Sequence, residues 1–280
     1  MAENIAMHET FMHISLMSLE IETKLIVPGG CPEILMEEIA SHKAFGQYLL
    51  SPAGMKVFQD TYYDTPQQSL SRQGIAVRTR EKTGSILFCI KKNELIRDGG
   101  AAIREELELP WSRQCMDHVI KIMGKASMKT NTLPSDEAPP SQCLTLLGLM
   151  AIQTRETRRQ AFDISCVGKE DIIAELALDD VCYLISGCRI LHCEIEVEAK
   201  LPSSEPHIVL LTGLMRQAYP ERLRRWDHNK LLTGLAIERF IAEGMLAVQP
   251  GEPLHLSRSS YDAIDAFLKN PSWGTAGPVP

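Results

Sequence analysis

The chain has 280 residues, 44% hydrophobic and 23% charged, a balance that suits a protein burying one sizeable core or two small ones. A formal net charge of -7 and a pI near 5.7 argue against a protein devoted to nucleic acid, whose phosphates call for a basic surface. No apolar run approaches the roughly 20 residues of a membrane-spanning helix, which excludes that class of membrane protein.

Residues 1–17 show no strand or helix pattern and are expected to form a flexible tail; Glu3 and Glu9 stand where a secretory leader would be basic. From residue 19 to 27 apolar and charged residues alternate, the signature of a strand, and Pro28-Gly29-Gly30 breaks it. Residues 32–50 are expected to be helical, with Ile34, Leu35 and Ile39 on the apolar side. Extended character returns at 55–63 and stops at the turn signal Asp64-Thr65-Pro66. Residues 74–81 and 85–92 read as a hairpin around Lys82-Thr83-Gly84. A strand at 101–109 ends at Pro110, and a short helix is expected at 115–123.

Residues 125–142 hold Pro134, Pro139 and Pro140 among Ser, Thr, Asn and Asp, and read as a mobile loop. Strands are expected at 150–164, 171–178, 182–185 and 189–199, then helices at 205–218 and 229–246. The main folded domain is taken as 18–243, leaving 244–280 as an extension of unassigned role. Its amphipathic stretch at 259–268 offers a docking surface, and oligomeric state is left open. Eight cysteines show no CxxC pair, which leaves a zinc knuckle without support and suits a reducing cytoplasm, the expected compartment. Many antiparallel strands with a few helices define an α+β protein built on a meander.

Side chains on a strand alternate faces, so residues two apart share a face at about 7 Å. Glu194-Ile195-Glu196-Val197-Glu198 therefore lines three carboxylates along one face, and Glu20-Ile21-Glu22-Thr23-Lys24 does much the same. Like charges in a row repel, so something positive must stand opposite. The other strands supply it: Arg78 and Arg80, Lys91, Arg104 with Glu106 and Glu108, Arg155 with Arg159 in phase, and Glu175 with Asp179. Acidic residues concentrate at the ends of the series and basic ones in the middle, as a closed surface with two oppositely charged zones would require.

Such zones have a definite chemistry. The carboxylates of Glu20, Glu22, Glu106, Glu175, Asp179, Glu194 and Glu196 form an oxygen donor set for one or two hard divalent ions, Mg²⁺ or Mn²⁺. Lys24, Arg78, Arg80, Lys91, Arg104 and Arg155 form the matching phosphate-binding set. A polyanion bridging the two zones would have its terminal phosphoryl group polarised by metal and its leaving phosphate neutralised by the cations, with water as nucleophile.

In order along the chain, the first-strand ExExK (Glu20, Glu22, Lys24), the Tyr62-Tyr63-Asp64-Thr65 turn, the RxR strand, Lys91, Arg104-x-Glu106, Arg155 and the closing ExExE resemble the CYTH superfamily, the triphosphate tunnel metalloenzymes. The resemblance runs from about residue 19 to 235. It implies an eight-stranded antiparallel β-barrel whose tunnel is lined with charges and whose outside is packed by helices. It also implies a Mg²⁺ or Mn²⁺ cofactor and a small-molecule triphosphate substrate. Lys230 matches a basic residue that members carry after the last strand. With that match, Glu20, Glu22, Glu196 and Lys230 are the residues expected to carry catalysis, Lys230 also binding phosphate. One departure stands out: the sixth strand usually reads Lys-x-Arg, and here the first place is Gln153, so one phosphate contact is expected to be weaker or to come from Arg158 or Arg159.

Among substrates, inorganic triphosphate is favoured, because Ile75 and Ala76 stand where thiamine triphosphatases usually carry an aromatic residue to stack a ring. Thiamine or nucleoside triphosphate is the alternative, followed by class IV adenylate cyclase chemistry. A module that binds polyphosphate or nucleotide without turnover is disfavoured, since anion binding alone needs no acidic zone. Arg222, Arg224 and Arg225 are expected to add to the tunnel's positive field rather than bind nucleic acid. His228 reads as a surface histidine. His192, in phase with Glu194, falls on the charged face, where it could support a carboxylate from behind.

Overall fold

The structure, a computed structural model, describes residues 17–29, 31–123, 138–249 and 251–270. Eight long strands carry it: β1 (Ser18–Ile26), β2 (Tyr48–Asp64), β3 (Ala76–Lys82), β4 (Ser85–Ile96), β5 (Ala102–Pro110), β6 (Met150–Cys166), β7 (Ile172–Ile185) and β8 (Cys188–Ala199). They pair antiparallel in the order β1-β5-β4-β3-β2-β6-β7-β8, and β8 returns to β1, with Glu22 opposite Glu198 and Lys24 opposite Glu196. The sheet closes into a barrel and leaves none of these eight strands as an edge. Two tight hairpins keep the register. Thr83-Gly84 joins β3 to β4, and Ser186-Gly187, both at positive φ (50° and 78°), joins β7 to β8 in the turn geometry that right-twisted strands favour.

Alternation is inverted relative to a small barrel with an oily centre. The apolar phase faces outward and is covered by helices α1 (Pro32–Ser41), α2 (Arg113–Met123), α3 (Pro140–Leu146) and α4 (Glu205–Ala218). Leu35 and Ile39 of α1 and Ile208, Leu211 and Met215 of α4 bury against Ile21, Leu25, Ile195 and Val197. On another side, α2 and α3 cover Val77, Phe88, Ile90 and Leu107. None of the described helices is long and apolar enough to cross a membrane.

Several expectations change. The helix expected over 32–50 ends at Ser41; His42 is extended, and residues 44–45 fold back on Tyr48 and Leu49 around Gly46 at φ 56°. The two strands expected at 171–178 and 182–185 are one, because Asp179 points inward to Arg159 while Asp180 points outward to Arg158, so neither interrupts the ladder. The expected tail at 1–17 and loop at 125–142 fall largely on residues 1–16 and 124–137, outside the described residues; residues 140–146 form α3.

Helix α5 (Lys230–Ala242) packs against inward-facing side chains at one end of the barrel. Asn229 caps it by accepting from the Leu232 amide, Tyr183 Oη donates to the Lys230 carbonyl at 2.8 Å, and Gln153 Nε2 donates to the Leu231 carbonyl at 3.0 Å. Gly234 allows this approach, since a Cβ there would lie 2.4 Å from Gln153 Nε2 and 2.6 Å from the Tyr183 ring. Gly234→Ala is expected to destabilise the protein by about 1–3 kcal/mol through overpacking, despite alanine's better helix propensity. Urea unfolding measures it, and an unchanged midpoint contradicts the packing. Beyond α5, residues 254–255 run parallel to β8, and α6 (Arg258–Leu268) buries Tyr261 and Ile264 beside Trp226. The stretch expected as a docking surface thus lies on its own barrel.

Candidate functional site

Inside the ring lies a cavity of about 450 Å³. Closure makes β7, β8 and β1 neighbours, so Glu175 and Asp179, the three glutamates of β8, and Glu20 and Glu22 form one continuous acidic arc. Arg78 and Arg80 on β3, Lys91 on β4, and Arg155 and Arg159 on β6 face the same space from the rest of the ring. Strand β5 is mixed, carrying Arg104 with Glu106 and Glu108.

The acidic arc is bound to cations at both ends. Arg104 contacts Glu20 at 2.5 Å and Glu22 at 2.6 Å, and Lys91 contacts Glu20 at 2.7 Å. Burial pushes the Glu20 carboxyl up, but Lys91 and Arg104 outweigh it and hold the group well below the usual carboxylate range. Lys230 sits among Glu194 (2.6 Å), Glu196 (2.5 Å) and Asp179 (3.1 Å). Burial favours its neutral form, yet these carboxylates raise its ammonium well above the ordinary lysine value. A cation at a helix N-terminus works against the helix dipole, so its three acidic partners account for its position.

The basic side holds a carboxylate that sequence reasoning did not include. Asp60, fully buried on β2, accepts from Arg80 at 2.7 and 2.9 Å, from Arg155 at 3.1 Å and from Arg78 at 3.3 Å. Burial raises its carboxyl, and the three guanidiniums overcome this and depress it strongly. The signal was present: Lys56, Phe58, Asp60 and Tyr62 alternate in one phase on β2, and all four line the cavity. Arg155 also donates to Tyr62 Oη at 2.8 Å. Even so, Arg155 Nε and Nη1, Arg78 Nε and Lys24 Nζ are buried without a hydrogen-bond partner. Buried donors without a hydrogen bond are costly, and for Lys24 the nearby Glu22 carboxylate at 3.3 Å offsets part of that cost.

Other expected residues fall as follows. Glu106 lies 3.0 Å from Cys89 Sγ and 3.2 Å from Lys91, which puts Cys89 on the charged wall. Burial pushes the Cys89 thiol up to about 12, so it stays protonated. Glu175 stands 3.6–3.9 Å from Lys200, Lys56 and Arg159. Glu194 is fully buried behind the lining, held by Lys230 and by His192 at 3.1 Å. Arg159 faces inward to Asp179 and Glu196 and Arg158 faces outward, while Gln153 serves α5. Arg222, Arg224 and Arg225 do not line the cavity; they pair with Glu38, Asp262 and Asp227. His228 is buried rather than on the surface, bonded to Asp265 at 2.8 Å and set edge-on to Trp226.

The donor set fits a hard divalent ion, because the acidic arc crowds carboxylates together where β1 meets β8. Glu22 and Glu198 are directly opposed there. Burial, then the nearby Glu20 and Glu22, push the Glu198 carboxyl up to about 7, and burial likewise raises Glu22. A carboxyl raised in the folded state binds its proton more tightly than in the unfolded chain. Its stabilising contribution is full below the unfolded value of 4.5 and is lost as pH rises through about 7. The metal-free protein is therefore expected to lose melting temperature across that window, and Glu198→Gln to lose less of it. Identical pH profiles for the two proteins contradict this.

The fold and its lining define a barrel with a charged tunnel. The CYTH domain family model matches residues 18–212, and the chain belongs to that family. It is 24% identical over 234 residues to the thiamine-triphosphatase of Macaca fascicularis and 23% identical over 233 residues to that of Homo sapiens. Each match covers 76% of this chain and 89% of the relative. Among solved structures, it resembles HpAC1 from Hippeastrum, named as an adenylyl cyclase with a dominant triphosphatase activity. That likeness has a TM-score of 0.49 and 18% identity, covering 81% of this chain and 97% of the other. A Bacillus halodurans protein named as an adenylate cyclase superposes with a TM-score of 0.45 and 20% identity, covering 77% and 97%. Neither likeness is close enough to speak to activity.

Proposed function

We propose that the protein hydrolyses a phosphoanhydride bond of inorganic triphosphate inside the tunnel, with a bound divalent ion, Mg²⁺ or Mn²⁺. The observation that carries this reading is the acidic arc of β7, β8 and β1 facing Arg78, Arg80, Lys91 and Arg155 across one cavity. Glu20, Glu22 and Glu198 are the residues that would hold the ion, with Glu196 beside them. The ion would supply charge neutralisation on the phosphoryl oxygens. Arg78 and Arg155, which line the cavity, would bind phosphate, and Arg80, locked on Asp60, would keep the wall rigid. Lys230 would neutralise charge on the phosphate chain from the opposite side of the acidic arc, and Glu196 would orient the attacking water.

The thiamine-triphosphatase relatives favour a second reading, in which thiamine triphosphate is the substrate. Two aromatic residues line the tunnel, but Arg80 lies over Phe58 at 3.9 Å and Arg155 over Tyr62 at 4.8 Å, so guanidiniums already occupy those rings. That supports the substrate without a ring. Phosphate release from tripolyphosphate, thiamine triphosphate and ATP, each with Mg²⁺, Mn²⁺ or chelator, tests both readings. Release from tripolyphosphate that stops with chelator is expected; tight binding without release under either metal would mean a sensor instead. Arg78→Ala is expected to raise KM about 10-fold or more with a smaller change in metal affinity, and an unchanged KM contradicts its phosphate role.

A further inference from the structure

We propose that the C-terminal helix α6, outside the residues matched by the family model, belongs to the working tunnel: Tyr261 positions His192, and His192 positions the Glu194 carboxylate that holds Lys230. The inference rests on the triphosphatase reading only for its kinetic consequence. The contacts form an unbroken line. Tyr261 Oη lies 2.8 Å from His192 Nδ1, His192 Nε2 lies 3.1 Å from Glu194 Oε2, and Glu194 Oε1 lies 2.6 Å from Lys230 Nζ. Tyr261, His192, Glu194 and Lys230 are all buried.

The partners assign the proton. A carboxylate that receives the Lys230 ammonium can only accept, so His192 must carry its hydrogen on Nε2 and donate it to Glu194. With the ring neutral, Nδ1 is the acceptor and the Tyr261 hydroxyl donates to it. One hydroxyl from the extension thus selects the tautomer of a histidine on the tunnel wall. The two oxygens of Glu194 are held by different groups, His192 and Lys230, which fixes the carboxylate plane and the position of the ammonium between Glu194, Glu196 and Asp179. Packing alone would be served by phenylalanine, since a buried hydroxyl is unfavourable unless it is bonded. The chain brings the helix to this place by laying residues 254–255 parallel to β8, with Leu254 opposite Ile190 and His255 opposite Leu191.

Tyr261→Phe keeps the ring in its site and removes one oxygen. It is expected to lower kcat for metal-dependent tripolyphosphate hydrolysis about 10-fold with KM unchanged, the scale of losing a group that orients a site residue from behind. His192→Leu should lower kcat about 100-fold, and His192→Gln, whose side-chain amide can still donate to Glu194, should recover most of that loss. In parallel, nitrogen-detected NMR of the histidine rings reads the tautomer without any turnover. The expected result is hydrogen on Nε2 and not on Nδ1 of His192 in the wild type, and a shifted or mixed signal in Tyr261→Phe. Hydrogen on Nδ1 in the wild type overturns the proposal, as does an unchanged kcat in both Tyr261→Phe and His192→Leu. If the wild type releases no phosphate from any triphosphate, the functional reading fails, and the ring signal alone decides the relay.

Discussion

Glu22→Gln is expected to lower metal-dependent phosphate release by about 10²-fold or more while the barrel still forms. The amide keeps the shape of the side chain but removes a full charge where an electrophilic ion would sit, and losing one such electrostatic contact has effects of that order. Glu22 is 2% exposed, opposes Glu198 across the β1–β8 seam and contacts Arg104 at 2.6 Å and Lys24 at 3.3 Å. Stability should move little or in the opposite direction. Burial raises the Glu22 carboxyl and outweighs Arg104 and Lys24, with Glu196 and Glu20 adding to the rise, so the ionised group is uncomfortable when no metal ion is present. Melting of the metal-free variant at or above the wild-type temperature, with turnover lost, is the expected pair of results. Wild-type turnover in the variant contradicts the assignment of Glu22 to the metal.

Lys230→Met is the corresponding test for stability. Methionine fills a similar volume but leaves Glu194, Glu196 and Asp179 facing one another without the ammonium that now lies within 3.1 Å of all three. Removing one member of a buried charged cluster costs about 3–5 kcal/mol, because the remaining charges stay buried and uncompensated. The loss should shrink as pH falls. Glu196 is now held well below the ordinary range, since Lys230 and Arg159 outweigh the effect of burial; without Lys230 its carboxyl rises and takes up a proton more readily. Urea unfolding at about pH 8 and about pH 5 measures both effects. Wild-type stability at the higher pH contradicts the role assigned to the lysine.

Much of this site was legible because strand alternation is a local property. Glu20 and Glu22, Arg78 and Arg80, and the glutamates of β8 occupy one phase of their strands, and that phase faces the cavity or, for Glu194, lies just behind it. The same counting from Arg155 points Arg159 inward. Asp60 was missed although it obeys the same rule, because it stands just before the Tyr62-Tyr63-Asp64-Thr65 turn and a lone acid on a basic wall looks like an exception. What alternation does not reveal is closure. The acidic arc becomes continuous only when β1 pairs with β8, a contact between residues far apart in the chain, such as Glu22 and Glu198, that no local pattern encodes.

Helix-borne residues were harder still. Lys230 lies at the start of α5, where no strand phase exists, and it was reached through family resemblance alone. Tyr261 lies outside the matched family residues, and its partner His192 shows its purpose only once the extension is folded over it. The overrun of the first helix has a simple cause. Phe45, Leu49 and Leu50 continue a helical spacing past Ser41, and the turn at Gly46, which sends the chain into β2, competes with it.

The account depends on the tunnel holding a divalent ion against the β1 and β8 carboxylates with a phosphate chain spanning to the arginines. A crystal of the protein grown with tripolyphosphate and Mn²⁺, with the anomalous signal of manganese recorded, examines this directly. The expected peak lies within oxygen-ligand distance, about 2–2.3 Å, of Glu20, Glu22 or Glu198, with phosphate oxygens on Arg78 and Arg155. Manganese and tripolyphosphate found only on the outer surface of the barrel, with the tunnel filled by water, would contradict it.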